Sequence, residues 1–96
     1  MTDSQASPRA DRAAELDERS RAILDFERDA WTLAVPKHRA IRERFGFSAA
    51  RYHQLLHRIV DRPEALAYDP MLVRRLRRMR EARRRKRSAR RLGFEL

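Results

Sequence analysis

The sequence predicts an all-α protein: a three-helix core built around a helix-turn-helix, followed by a long arginine-rich C-terminal helix. Three observations predict this class. Apolar residues recur at three- and four-residue steps from Ile23 to Met79, the spacing that gathers side chains on one face of a helix. Residues that start and stop helices bracket each of these stretches. No run alternates β-branched with polar residues, and no hairpin dipeptide occurs.

Residues 1–16 are rich in Ala, Ser, Asp and Arg and are predicted to form a disordered tail. A helical domain follows over residues 17–73. Its first helix is expected from residue 17 or 20 to residue 33 or 34, with Ile23, Phe26, Ala30 and Leu33 as its stripe and Leu24 and Trp31 widening it. That placement puts Trp31 in the core, with a dimer surface as the other use of a partly exposed Trp. Pro36 ends the pattern and suits the first turn of a second helix over 37–45. Gly46 is placed for a left-handed C-cap, and Ser48 for the N-cap of a third helix from 49 to about 61. On that helix Tyr52, Leu55, Leu56, Ile59 and Val60 share one face. Pro63 opens a short helical turn, PEALA, and Asp69 followed by Pro70 starts the last helix. Leu72, Val73, Leu76 and Met79 give its early part an apolar stripe that fits either the core or a dimer seam. Beyond Ala82 only Ala89 is apolar until Leu92, so the distal part is expected to project into solvent and to end at Gly93.

Charge divides the chain as sharply as hydropathy does. The 96 residues include 24 Lys or Arg and 14 Asp or Glu, a net charge of +10. Residues 1–73 hold 12 basic and 12 acidic side chains and cancel, whereas residues 74–91, RRLRRMREARRRKRSARR, set 12 basic side chains against Glu81 alone. Residues 74–96 thus form a basic C-terminal helix, or arm, behind a neutral domain, which is an arrangement suited to a polyanion. Eleven of those 12 are Arg, whose planar guanidinium grips phosphate with two parallel hydrogen bonds where Lys offers a point charge. The chain has no Cys, which excludes a disulfide scaffold and points to a reducing, cytoplasmic compartment. No apolar run long enough for a signal peptide or a membrane span is present.

The segment AIRERFGFSAARYHQLL carries the helix-turn-helix signal. Phe45 is the apolar residue before the turn, Gly46 takes the positive φ, Phe47 anchors the far side and Ser48 caps the second helix, leaving Tyr52 and Leu55 to pack inward. Arg42 departs from the pattern, because a small residue four before the Gly usually lets the helices approach. Either the helices sit further apart there or the Arg stem lies along the groove with its head in water. Docked in a major groove, the third helix would offer Ser48, Ala49, Ala50, Arg51, His53, Gln54, His57 and Arg58, with Arg51 suited to guanine and Gln54 to adenine. The plain alternative is an αα-hairpin that only builds the core.

The arm adds Arg74, Arg75, Arg77, Arg78, Arg80, Arg83, Arg84, Arg85, Lys86, Arg87, Arg90 and Arg91 as phosphate contacts. Like charges at i, i+3 and i+4 repel one another along a helix, a cost that an arriving anion offsets. With about six to eight phosphates met, log K is expected to fall with log salt at a slope of about −5 to −7. An acidic membrane fits less well, since the distal helix has no bulky apolar face. Duplex DNA is favoured over RNA because aromatics interleaved with the basic residues, which would stack bases, are missing. Few base-reading side chains against abundant charge predict weak sequence selectivity, with sensitivity to minor-groove shape.

Other constellations carry less. His53 and His57 stand four apart but lack an obvious third ligand, so no metal and no cofactor are expected. Asp25, Glu27 and Asp29 are better explained by pairing with Arg21 and Arg28 than by catalysis, and with two glycines and no nucleophile or phosphate-loop motif an enzyme is not expected.

The stretches ILDFERDAW, AIRERFGFSAARYHQLL, IVDRPEALAYDPMLVRRLRR and RSARRLGFEL together resemble a family of small basic actinobacterial proteins catalogued as a domain of unknown function. One member of that family is described as a nucleoid-associated protein that binds and compacts DNA and responds to supercoiling. The resemblance implies an architectural DNA-binding role in chromosome organisation with consequences for transcription, located in the cytoplasmic nucleoid. It implies no set of contact residues. The expected partners are therefore duplex DNA and, in one reading, a second copy in a homodimer, with no small-molecule substrate. A sequence-specific regulator, an RNA- or ribosome-associated factor and a transcription-machinery adaptor using Trp31 and the acidic first helix are the alternatives.

Overall fold

The computed structural model describes residues 15–91, all of whose regular structure is helical. Five α-helices follow in order: α1 Glu18–Arg28, α2 Lys37–Phe45, α3 Ala49–Val60, α4 Pro63–Tyr68 and α5 Pro70–Arg91. The all-α class and the long C-terminal helix are as the sequence predicts. Residues 1–14 of the expected tail over 1–16, and the ending at Gly93, lie outside the described residues. Leu16, counted with that tail, is 3% exposed and belongs to the core.

Asp17 starts α1. One carboxylate oxygen accepts from the Ser20 backbone N–H at 3.2 Å, the other from the Ser20 hydroxyl at 2.7 Å, which satisfies donors that a helix start leaves unpaired. The helix stops at Arg28, earlier than the stripe suggests. Asp29 leaves helical geometry, Ala30–Thr32 form a single 3₁₀ turn, and the Thr32 hydroxyl donates to the Asp29 carbonyl at 2.7 Å. A side chain that bonds the nearby backbone competes with helix continuation. The tighter turn shifts the phase of the stripe, because a 3₁₀ helix repeats every 3.0 residues and not every 3.6. Trp31, expected in the core, therefore points out and is 85% exposed, while Leu33 and Val35 take up the packing on that side.

Pro36 sits in extended geometry just before α2, and Gly46 closes that helix at φ 78° with its N–H on the Arg42 carbonyl at 2.9 Å. A Cβ at Gly46 would meet nothing within 4 Å, so the position asks for glycine through its backbone angle alone. Ser48 caps α3 by accepting from the Arg51 N–H at 3.1 Å. Arg42 remains on the solvent side of α2, and Ala40 and Ile41 face the core instead. That removes the conflict at this position of the helix-turn-helix.

The core is made by Ile23, Leu24 and Phe26 of α1, Ala40 and Ile41 of α2, the five inward residues predicted for α3, Ala65 of α4, and Leu72 and Val73 of α5. Phe26 and Tyr52 meet edge to face at 5.6 Å, as do Phe26 and Phe45, and Phe47 stacks on Phe45 at 5.8 Å. Such pairs add about 0.5–1.5 kcal/mol beyond the area they bury. The stripe on α5 thus serves the core: Leu72 is buried and Leu76 packs against the cluster, whereas Met79 is left largely outside.

One polar group lies inside this apolar frame. Glu27 follows Ile23 by one helical turn on the inward face of α1, and its side chain is 7% exposed. Its Oε2 accepts from the Tyr52 hydroxyl at 2.6 Å and pairs with Lys37 Nζ at 2.8 Å. Burial, with the neighbouring carboxylate, pushes the Tyr52 phenol well above its ordinary range. A buried charge is tolerable only when paired and hydrogen-bonded. Here the pairing ties α1, α2 and α3 together at one point.

Candidate nucleic-acid interface

Two basic surfaces meet beside that point. The first is the outer face of α3, where Ser48, Ala50, Arg51, His53, Gln54, His57 and Arg58 are exposed and Ala49 is half-buried. The apolar pattern of α3 forces this, since its inward residues leave these positions to solvent. The Ser48 hydroxyl already serves the helix cap, so its oxygen holds the turn in place. Arg51 and Gln54 lie one turn apart in the first half of the helix, the end that a helix-turn-helix presents to bases.

The second surface is α5, and there the structure separates residues that composition treats alike. Arg77 donates through Nε to the Val60 carbonyl at 2.6 Å. Arg80 reaches the His57 carbonyl at 3.4 Å and grips the carboxylate of Asp61 with two bonds of 2.6 and 3.2 Å, its side chain 16% exposed. Both guanidiniums thus close the C-terminal end of α3, where carbonyls lack helical partners and the dipole favours cations. Arg80 holds the Asp61 carboxyl below the usual carboxylate range, chiefly by hydrogen bonding. These two of the arm's predicted phosphate contacts are therefore committed to the fold. Arg74, Arg75, Arg78, Arg83, Arg84, Arg85, Lys86, Arg87, Arg90 and Arg91 are exposed. Arg84 has Glu81 at 3.8 Å, a loose pairing between exposed groups that is worth little.

Between α3 and α5 runs a cleft of about 400 Å³ that also touches Glu27 and Lys37. His53 and His57 line it from α3, Arg80 and Arg83 from α5, and Leu76 and Met79 form part of its floor. Both imidazoles are held below their ordinary pKa. For His53 the causes are partial burial and then Lys37; for His57 they are partial burial and then Arg80, Arg83 and Arg84. Among the described residues no three His, Asp or Glu side chains gather where a metal ion could be held, and no helix there is long and apolar enough to cross a membrane.

The family described as "Protein of unknown function (DUF3263)" matches the chain over residues 15–88. The chain belongs to this family. The match takes in the whole helical core of this DUF3263 protein and most of α5. No curated protein and no solved structure matches it.

Sequence reasoning missed two parts of this region. Lys37 enters the cleft, and Glu27 anchors it, through contacts between separate helices. Glu27 did leave one signal: a carboxylate one turn after Ile23 falls within the apolar stripe and therefore needs a buried partner. Arg77 and Arg80 gave none, because their partners are backbone carbonyls 17 and 23 residues away.

Proposed function

We propose that this DUF3263 protein is an architectural, nucleoid-associated DNA-binding protein that meets duplex DNA mainly through phosphates, with weak sequence selectivity. The observation that carries the reading is the second half of α5. Over residues 81–91 it sets seven Arg or Lys against Glu81, all exposed, on a helix continuous with a docked first half. A cationic rod about 16 Å long can lie along several backbone phosphates of a duplex and contributes a salt-dependent, sequence-independent term. The α3 face beside it supplies the few side chains able to touch base edges. The resemblance to a family with a DNA-compacting member points the same way, with bending, bridging or coating of DNA and effects on transcription as its consequences.

The test is a salt titration of binding to a duplex fragment, with random-sequence duplex and structured RNA as competitors. The expected result is a steep negative slope of log K against log salt and near-equal competition by random duplex. Selective retention of one sequence makes the protein a site-specific regulator, and preferential competition by RNA sinks the DNA assignment. Trp31 favours a second reading, because a Trp that is 85% exposed offers a protein-binding anchor. A transcription-machinery adaptor would keep its protein partner after residues 81–96 are removed.

A further inference from the structure

The α3–α5 cleft has a property that the rest of the basic surface lacks: it sets two imidazoles of α3 opposite arginines of α5. The geometry points to a seat in this cleft for one backbone phosphate of duplex DNA, between His53, His57 and Arg83, entered with uptake of a proton by the histidine pair. The inference rests on the DNA-binding reading and goes beyond it by naming the position and the regulation of one contact.

The groups around the seat decide its chemistry. His53 faces Lys37 from α2, Glu27 from α1, His57 from its own helix and Arg83 from α5. His57 faces Arg80, Arg83 and Arg84 from α5 and Asp61 at the end of α3. The two carboxylates are already matched, Glu27 by Lys37 and Tyr52, Asp61 by Arg80. An incoming phosphate therefore meets no uncompensated negative charge, and Arg83 is exposed to receive it. About 400 Å³ of open cleft accommodates a phosphodiester.

The sign of the linkage follows. In the unbound protein partial burial and then neighbouring cations hold both imidazoles below their ordinary range. A phosphate between them favours the protonated form, so the complex binds more protons than its parts. Affinity must then rise as pH falls from neutrality toward the ordinary histidine range. His38 lies on α2 outside the cleft, so the comparison of the parent with a variant lacking His53 and His57 isolates this seat.

The experiment uses the full chain and a duplex of about 20 base pairs. Affinity is measured at pH 7.5 and 5.5 at fixed ionic strength for the parent and for the His53→Gln, His57→Gln double variant. The imidazole resonances of the parent are followed by NMR with and without the duplex, and with pyrophosphate alone. Both histidines are exposed, and the substitution removes one edge contact on the core, that of His53 with the Tyr52 ring at 5.4 Å. The expected result is about tenfold tighter binding at pH 5.5 for the parent, a ratio near one for the double variant, and imidazoles that protonate at higher pH in the DNA complex. If parent and double variant show the same ratio, or the imidazole titrations do not move on DNA, the seat is wrong while DNA binding stands. Absence of duplex binding at either pH overturns the underlying reading itself. If millimolar pyrophosphate moves the imidazoles as far as DNA does, the cleft is a small-anion site and its assignment to the DNA backbone falls.

Discussion

Residues 70–80 and 81–91 belong to one unbroken helix and carry five and seven basic side chains, yet the two halves act differently. In the first, Leu72 and Val73 are buried, and Arg77 and Arg80 are turned onto the end of α3. In the second no residue is buried and all seven cations are exposed. The difference comes from what lies opposite. Where the helix passes the carbonyl end of α3, an arginine satisfies backbone acceptors and becomes part of the fold. Further along, the same residue type stays exposed and closes no helix end. Arginine content thus says how much charge is present, and position relative to the neighbouring helix end decides how much of it is on offer.

Removing the second half tests this most severely. A chain ending at Arg80 loses seven cations but no core residue, since the last side chain packed on the core is Leu76. Its slope of log K against log salt should become less negative by up to about six, and its affinity in low salt should fall by at least about a hundredfold. Thermal melting should move by no more than a few degrees. An unchanged slope would mean that the first half and α3 carry the binding, and the comparison would collapse.

The converse substitution is smaller in effect and falls on stability. Arg77→Ala with Arg80→Ala strips α3 of both guanidiniums and leaves the Val60 carbonyl unpaired. A combined cost of about 2 kcal/mol is expected, after discounting the Asp61 pair because that carboxylate is 61% exposed. In a domain of this size that lowers Tm by about 10 °C. The matched pair Arg84→Ala with Arg85→Ala should stay within about 0.5 kcal/mol of the parent, while reducing the salt slope by about two. Differential scanning calorimetry and DNA titration on the parent and these two double variants separate the two roles.

The contrast also marks where the sequence was readable. Local signals were: Ser48 as a cap, Gly46 as a left-handed stop, Asp69–Pro70 as a start, and the α3 stripe from Tyr52 to Val60 all depend on residues within a few positions of one another. The solvent projection of the arm was readable too, because an absence of apolar residues is itself local. Trp31 was not. Its fate turned on one 3₁₀ turn, where the Thr32 hydroxyl and the Asp29 carbonyl outweighed a stripe that would otherwise have continued. Arg77, Arg80 and Lys37 were not readable either, since their partners arrive only when separate helices pack. For the candidate interface, the outer face of α3 followed from its inner face, but the cleft where α3 meets α5 is a product of tertiary structure.

The mildest test of the comparison is acid. Arg80 depresses the Asp61 carboxyl in the folded state, so this pair stabilises the fold above the ordinary carboxylate range near 3.8. The contribution is lost as pH falls through the lower folded value, where Asp61 protonates. Asp17 behaves alike, held down first by the Ser20 hydroxyl. His53 and His57 act in another window. Their folded values lie below 6.5, so the unfolded chain takes up protons first and stability declines as pH drops below about that point. Urea midpoints of the parent should therefore fall in two stages, one between pH 7 and 5 and one below pH 4. In Arg80→Ala the lower stage should shrink by at most about 1 kcal/mol, as suits an exposed pair. The upper stage should soften as well, because His57 loses one of the cations that disfavour its charge. An equal response from Arg84→Ala at the lower stage would show that proximity to the end of α3 is not what distinguishes the two halves of the helix.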